Sequence, residues 1–247
     1  MAQLAMRSGN PALSADTFRG VPRVGMGTDA MTIGGTVNKT MLALVLVMAA
    51  AAYSWNNPAM RGVLVPVGFL GGFVVAMVTI FKKEWAGITT PLYAVLEGLG
   101  LGAVSQMFET MYPGMVSQAV FLTFGTLGAM LLAYRSGLVQ ATERFKMGVF
   151  AATGGIAIVY LLSFVLSFFG MQIPQINGSG TIGILFSLVV VVVAALNLVL
   201  DFDFIEQGAE RGAPRYMEWY GAFGLLVTLV WLYLELLRLL SKLQERR

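Results

Sequence analysis

The chain has 247 residues, of which 57% are hydrophobic and 12% charged, with a formal net charge of +3. About a quarter charged is usual for a soluble domain, so this chain cannot cover a water-facing surface. Its basic residues fall between apolar blocks, which argues for orientation in a membrane rather than for nucleic-acid binding. Cysteine and histidine are both absent. That excludes thiolate nucleophiles, Cys/His metal sites and imidazole acid–base chemistry, leaving oxygen ligands for any hard cation and carboxylates for any proton chemistry.

In chain order, residues 1–38 are polar and carry Arg7, Arg19 and Arg23 without the apolar middle of a signal peptide, and read as a disordered cytoplasmic tail. Seven apolar blocks follow in a spanning domain over 39–242. The first, Met41–Trp55, is stopped by Asn56-Asn57-Pro58, and the second, Gly62–Phe81, ends at Lys82-Lys83-Glu84. The third, Ile88–Phe108, holds Glu97 near its middle; the fourth, Met115–Tyr134, ends at Arg135. The fifth spans Met147–Phe169, and an uncharged turn with Pro174 and Asn177 leads to the sixth, Thr181–Leu200, which stops at Asp201. The seventh, Met217–Leu240, contains Thr228 and Glu235, and residues 243–247 form a charged tail. The expectation is an all-α membrane protein, a seven-helix bundle.

Lysine and arginine before the first span and in the second-to-third, fourth-to-fifth and sixth-to-seventh loops place the N-terminus in the cytoplasm, since the first three loops opposite hold Arg61 alone. Seven spans then put the C-terminus outside, against the charges Lys242, Arg246 and Arg247; a re-entrant last helix is the alternative. Gly68/Gly72 and Gly98/Gly102 are small-residue pairs at four-residue spacing that let helix backbones approach.

Ionisable side chains at depth are the informative ones. Glu97 sits about midway through the third block and is either a pore-lining carboxylate or a neutral acid hydrogen-bonded by Asn197, Thr123 or Tyr160. Asn197 and Asp201 share one face of the sixth helix, and Asp201 among Leu200, Phe202 and Phe204 reads as a pore group that could attract or coordinate a divalent cation. Asp203 points about 200° away from Asp201 if the helix continues. With Glu206 it would attract cations to the mouth; read plainly, Asp203, Glu206 and Glu210 are a hydrated helix end beside Arg211 and Arg215. Glu235 precedes Arg238 by three residues, the spacing of an ion pair on one face.

The sixth span closing in Asn197…Leu200-Asp201-Phe202-Asp203-Phe204-Ile205, the seventh span from Ala222 to Leu240, and the stretch from Pro91 to Gly98 resemble the Bax-inhibitor family, nearest its bacterial branch, over about residues 35–242. The resemblance implies a central last helix, a bacterial plasma membrane and a pH-sensitive Ca²⁺ leak latched by two aspartates. Asp201 matches the first aspartate, and the second falls at Thr228, which cannot titrate. Function is thus expected to be a pH-modulated Ca²⁺ (cation) leak channel with an altered di-carboxylate gate, without cofactor or enzyme activity, partnered by the bilayer and by Ca²⁺ or H⁺ as permeant or regulatory ions. A non-transporting regulator that binds a membrane protease or a stress-response partner is the alternative.

Overall fold

The computed structural model describes residues 29–170 and 178–246. Among them are seven helices long and apolar enough to cross a bilayer. They are α1 (Ile33–Trp55), α2 (Arg61–Phe81), α3 (Ala86–Met111), α4 (Met115–Arg135), α5 (Glu143–Phe168), α6 (Thr181–Glu210) and α7 (Met217–Glu245). Arg7, Arg19, Arg23, Pro174, Asn177 and Arg247 lie outside the described residues.

Local chemistry sets the helix ends. The Thr32 hydroxyl accepts from Gly35 N at 2.9 Å and caps α1, so the helix starts inside the segment expected to be tail. Residues 29–31 are tied down too, with Met31 N donating to Ala213 O at 2.6 Å and Arg215 N to Asp29 O at 2.8 Å. At the other end of α1 the side-chain amides of Asn56 and Asn57 donate to Ala52 O and Tyr53 O, which closes the helix before Pro58. Between α3 and α4, Gly114 adopts φ +84°, and the Glu109 carboxylate accepts from Gly114 N at 2.7 Å and Val116 N at 3.1 Å. Replacing Thr32 by Ala is expected to cost about 1 kcal/mol, read as a lower melting temperature in detergent.

The helices form a bundle around α7, where 67% of the spanning window is buried against 11% in α5. Helices α1, α3, α4 and α6 pack on α7, while α2 lies outside on α3 and α5 outside on α6. Tyr220, Phe223, Leu226, Leu232 and Leu237 of α7 fill the core. Large apolar side chains such as Leu70, Ile88, Phe121, Ile158 and Phe168 point outward, as burial in lipid requires.

The four glycines at four-residue spacing mark helix contacts. Gly68 and Gly72 face α3, at Gly100 and Glu97, and Gly98 and Gly102 face α1, at Val47 and Ala51. Segment 29–31 meets the α6–α7 turn on one face of the bundle, whereas Tyr112, after α3, donates to Glu245 on the other. The two ends of the described chain are therefore on opposite faces. Helix α7 is unbroken over 29 residues, so it has no re-entrant fold. Its tail charge Lys242 is not a loop charge at all: it is 4% exposed and donates to Gly183 O and Ser187 Oγ.

Candidate functional site

Two helix registers fix where the acids stand. Helices α3 and α7 run parallel, with the Thr90 hydroxyl on Trp219 O at 3.1 Å, Tyr93 and Phe223 ring to ring at 5.1 Å, and the Ser105 and Tyr233 hydroxyls 2.6 Å apart. Helices α6 and α7 run antiparallel, with Phe204 against Tyr220 and Ile205 against Gly221. Both registers together bring Asp201 level with residues 223–225 of α7 and Glu97 level with 225–227, less than one helical turn apart in depth.

Asp201 is 0% exposed and Glu97 7%. Glu97 faces α2, where its carboxylate lies against Gly72. The hydrogen-bond partners expected for Glu97 are engaged elsewhere: Thr123 donates to Ala119 O, Asn197 donates to Thr153 Oγ1 and Val193 O, and Tyr160 donates to Glu235. Each of those groups is nearer an acceptor on its own or an adjacent helix. The Glu97 carboxylate is hydrogen-bonded instead by Tyr93, one turn earlier on α3, while Glu97 Oε2 and Asn197 Oδ1 are buried acceptors with no hydrogen bond among the described residues. Such orphaned acceptors mark places where water, a proton or a cation would be stabilised.

Beyond Asp201, α6 continues without a break to Glu210, and Asp203 diverges from Asp201 as the helical period requires. One of its partners comes from α5 and one from its own helix. Asp203 Oδ2 accepts from Lys146 Nζ at 2.8 Å and from Gln207 Nε2 at 2.6 Å, and the Tyr134 hydroxyl donates to Glu206. Asp203 and Glu206 line a cavity of about 380 Å³ with Tyr134, Arg135 and Gln140, on the face that carries segment 29–31. A second cavity, about 460 Å³, lies between α1, α3, α4 and α7. Its lining includes Leu44, Val47, Leu101, Phe124 and Leu229 and no Asp, Glu, Lys or Arg, so it offers an ion no charged group. Among the described residues no group of three or more acids is placed to hold a metal ion.

On the opposite face, Glu235 accepts from Tyr160 at 2.9 Å and from Arg238 at 2.9 Å, and the Arg238 guanidinium stacks 4.9 Å from the Tyr160 ring centre. The Arg238 half of that cluster is readable from its three-residue spacing. Tyr160, on another helix, is not.

The family model described as Bax inhibitor 1 like matches residues 8–245, nearly the whole chain. The chain belongs to the Bax inhibitor 1-like family. No curated protein and no solved structure matches it. Asp201 lies on α6 and Thr228 on α7. Both are buried, at 0% and 2% exposure. In the antiparallel register Thr228 stands level with Asn197, about one helical turn from the level of Asp201. Thr228 carries a hydroxyl rather than a carboxylate, and Glu97 on α3 lies within one helical turn of Asp201 in depth.

One side chain of this region escaped the sequence reading. Lys146 counts there as a loop charge, yet it is 5% exposed and lies within α5. Its signal is a stripe. Lys146, Thr153 and Tyr160 recur every seven residues, and each bonds a polar group of α6 or α7, at Asp203, Asn197 and Glu235.

Proposed function

We propose that this Bax inhibitor 1-like protein is a pH-modulated cation leak that passes Ca²⁺ across a bacterial plasma membrane, with its N-terminus in the cytoplasm. The observation that carries the reading is the depth of the acids: Asp201 and Glu97 are buried at one level of the bundle, beneath the acid-lined cavity at Asp203 and Glu206. An ion in hydrocarbon faces a large desolvation barrier, and fixed carboxylates at mid-depth lower it for cations while raising it for anions. Asp203 and Glu206 would gather cations at the mouth, and Asp201, Glu97 and Asn197 would carry them through. Thr228 adds a hydroxyl without charge, so the gate differs from a pair of coupled carboxylates.

The topology supports the assigned direction. Lys39, Lys82, Lys83, Arg135, Arg144, Lys146, Arg211 and Arg215 belong to the loops and helix ends on the mouth face, and the positive-inside rule makes that face cytoplasmic. With no histidine in the chain, carboxylates are the groups whose protonation would set the leak near neutral pH.

The test is Ca²⁺ entry into proteoliposomes loaded with a fluorescent indicator. Wild type is expected to exceed empty vesicles clearly. Asp201→Asn, which removes one charge and keeps the shape, is expected to lower the rate about tenfold, the equivalent of roughly 1.4 kcal/mol in the barrier.

A further inference from the structure

We propose that the Lys146 ammonium is a tethered counter-cation seated in the acidic mouth, which a permeating divalent cation must displace; the inference rests on the leak reading above.

Lys146 is the one cation of the α4–α5 region that the bundle encloses. It is 5% exposed, although α5 is the least buried of the seven described helices. Its Nζ lies 2.8 Å from Asp203 Oδ2 and 3.5 Å from Glu143 Oε1. Asp203 in turn lines the cavity that Glu206 shares. The ammonium is therefore paired with one of the two carboxylates of that cavity, which Arg135 also lines, two residues along α6 from Asp201. An ammonium held between two carboxylates at this distance cancels the field that would draw a divalent ion in.

A plain anchoring role is the competing account, since Lys146 also begins the seven-residue stripe that holds α5 to the bundle. The two accounts differ in what the carboxylates do once the ammonium is gone. An anchor leaves them to water. A tethered counter-cation leaves a vacancy of matching charge for a divalent ion, which prefers several oxygen ligands. Arginine at the same place keeps the charge and is expected to keep the mouth filled.

The experiment uses the full-length protein in detergent and Tb³⁺ as the probe, its luminescence sensitised by Tyr134, whose hydroxyl donates to Glu206 in the same cavity. Lys146→Gln is expected to bind Tb³⁺ about tenfold more tightly than wild type or Lys146→Arg. Ca²⁺ should compete for the site, and Asp203→Asn in the Lys146→Gln background should abolish the gain. Equal affinity in wild type and Lys146→Gln overturns the proposal. Should Lys146→Gln misfold, labelling of the wild type by an amine-reactive reagent decides: saturating Ca²⁺ is expected to raise modification of Lys146 several-fold, and an unchanged rate overturns the proposal. Flux in proteoliposomes separates this inference from the leak itself. Tighter Tb³⁺ binding without Ca²⁺ entry in any variant upholds the counter-cation and refutes the leak, whereas Ca²⁺ entry with unaltered Tb³⁺ affinity does the reverse.

Discussion

Gly102→Ala is expected to disrupt the bundle, while Gly154→Ala leaves it intact. A methyl group on Gly102 would run into Ala51 O and Ser54 Oγ of α1, and one on Gly98 into Val47 O and Ala50. The obstacle is backbone, which cannot rotate aside as a side chain can. Overpacking of this kind costs about 1–3 kcal/mol or more. At Gly154 a methyl group meets nothing within 4 Å. Both changes raise helix propensity by about 1 kcal/mol, so propensity alone would make both stabilising. The melting temperature in detergent separates the two effects. A fall of roughly 6–12 °C for Gly102→Ala, the size that ~3 kcal/mol gives a chain of this length, with no fall for Gly154→Ala, is the expected result. Equal behaviour of both variants would mean that α1 and α3 are not in backbone contact.

Glu218→Ala is the second large effect. The Glu218 carboxylate, 2% exposed in the first turn of α7, accepts from Thr32 N and Thr32 Oγ1, each at 2.9 Å, and from Lys39 Nζ. Its side of α1 leaves room only for glycine, because a methyl group on Gly35 would collide with the carboxylate. One side chain thus joins the start of α1 to the start of the central helix. Truncation leaves the Lys39 ammonium, itself only 17% exposed, and a backbone N–H without their acceptor. The expected loss is about 2–4 kcal/mol. Glu218→Gln keeps an oxygen for Thr32 and is expected to lose less than half as much. Hydrogen exchange locates the damage: protection should fall first at residues 32–36, and only later in the core of α7.

The apolar blocks are legible because lipid demands about twenty apolar residues per crossing, a demand that each block states locally. The helices themselves run further than the blocks. The sixth apolar block ends at Leu200, but α6 extends to Glu210. Hydropathy reports the depth of the hydrocarbon, whereas helix length also depends on Gln207, Lys146 and Tyr134 satisfying the charged turns beyond it. The same limit hid α1's start at Ile33, since a Thr cap and a bridge to residues 213–215 leave no mark in composition.

Site residues divide along the same line. Asp201 and Glu97 can be found from sequence because a carboxylate inside an apolar block is conspicuous on its own. Their common depth cannot, because it depends on two interhelical registers set by contacts such as Thr90 with Trp219, far apart in the chain. Residue type alone points to Thr123, Asn197 and Tyr160 as partners for Glu97, yet geometry has all three bond elsewhere. Lys146 and Lys242 count as loop and tail charges in a linear reading, yet the bundle folds both inward, against Asp203 and against Ser187.

Ca²⁺ entry into proteoliposomes, wild type beside Asp201→Asn, between mildly acidic and mildly alkaline pH, tests the central claim most directly. The account predicts Ca²⁺ entry above empty vesicles that changes with pH in the wild type, and in Asp201→Asn a rate about tenfold lower with the pH response gone. Ca²⁺ entry no faster than in empty vesicles, or a rate and pH response untouched by the substitution, would contradict it.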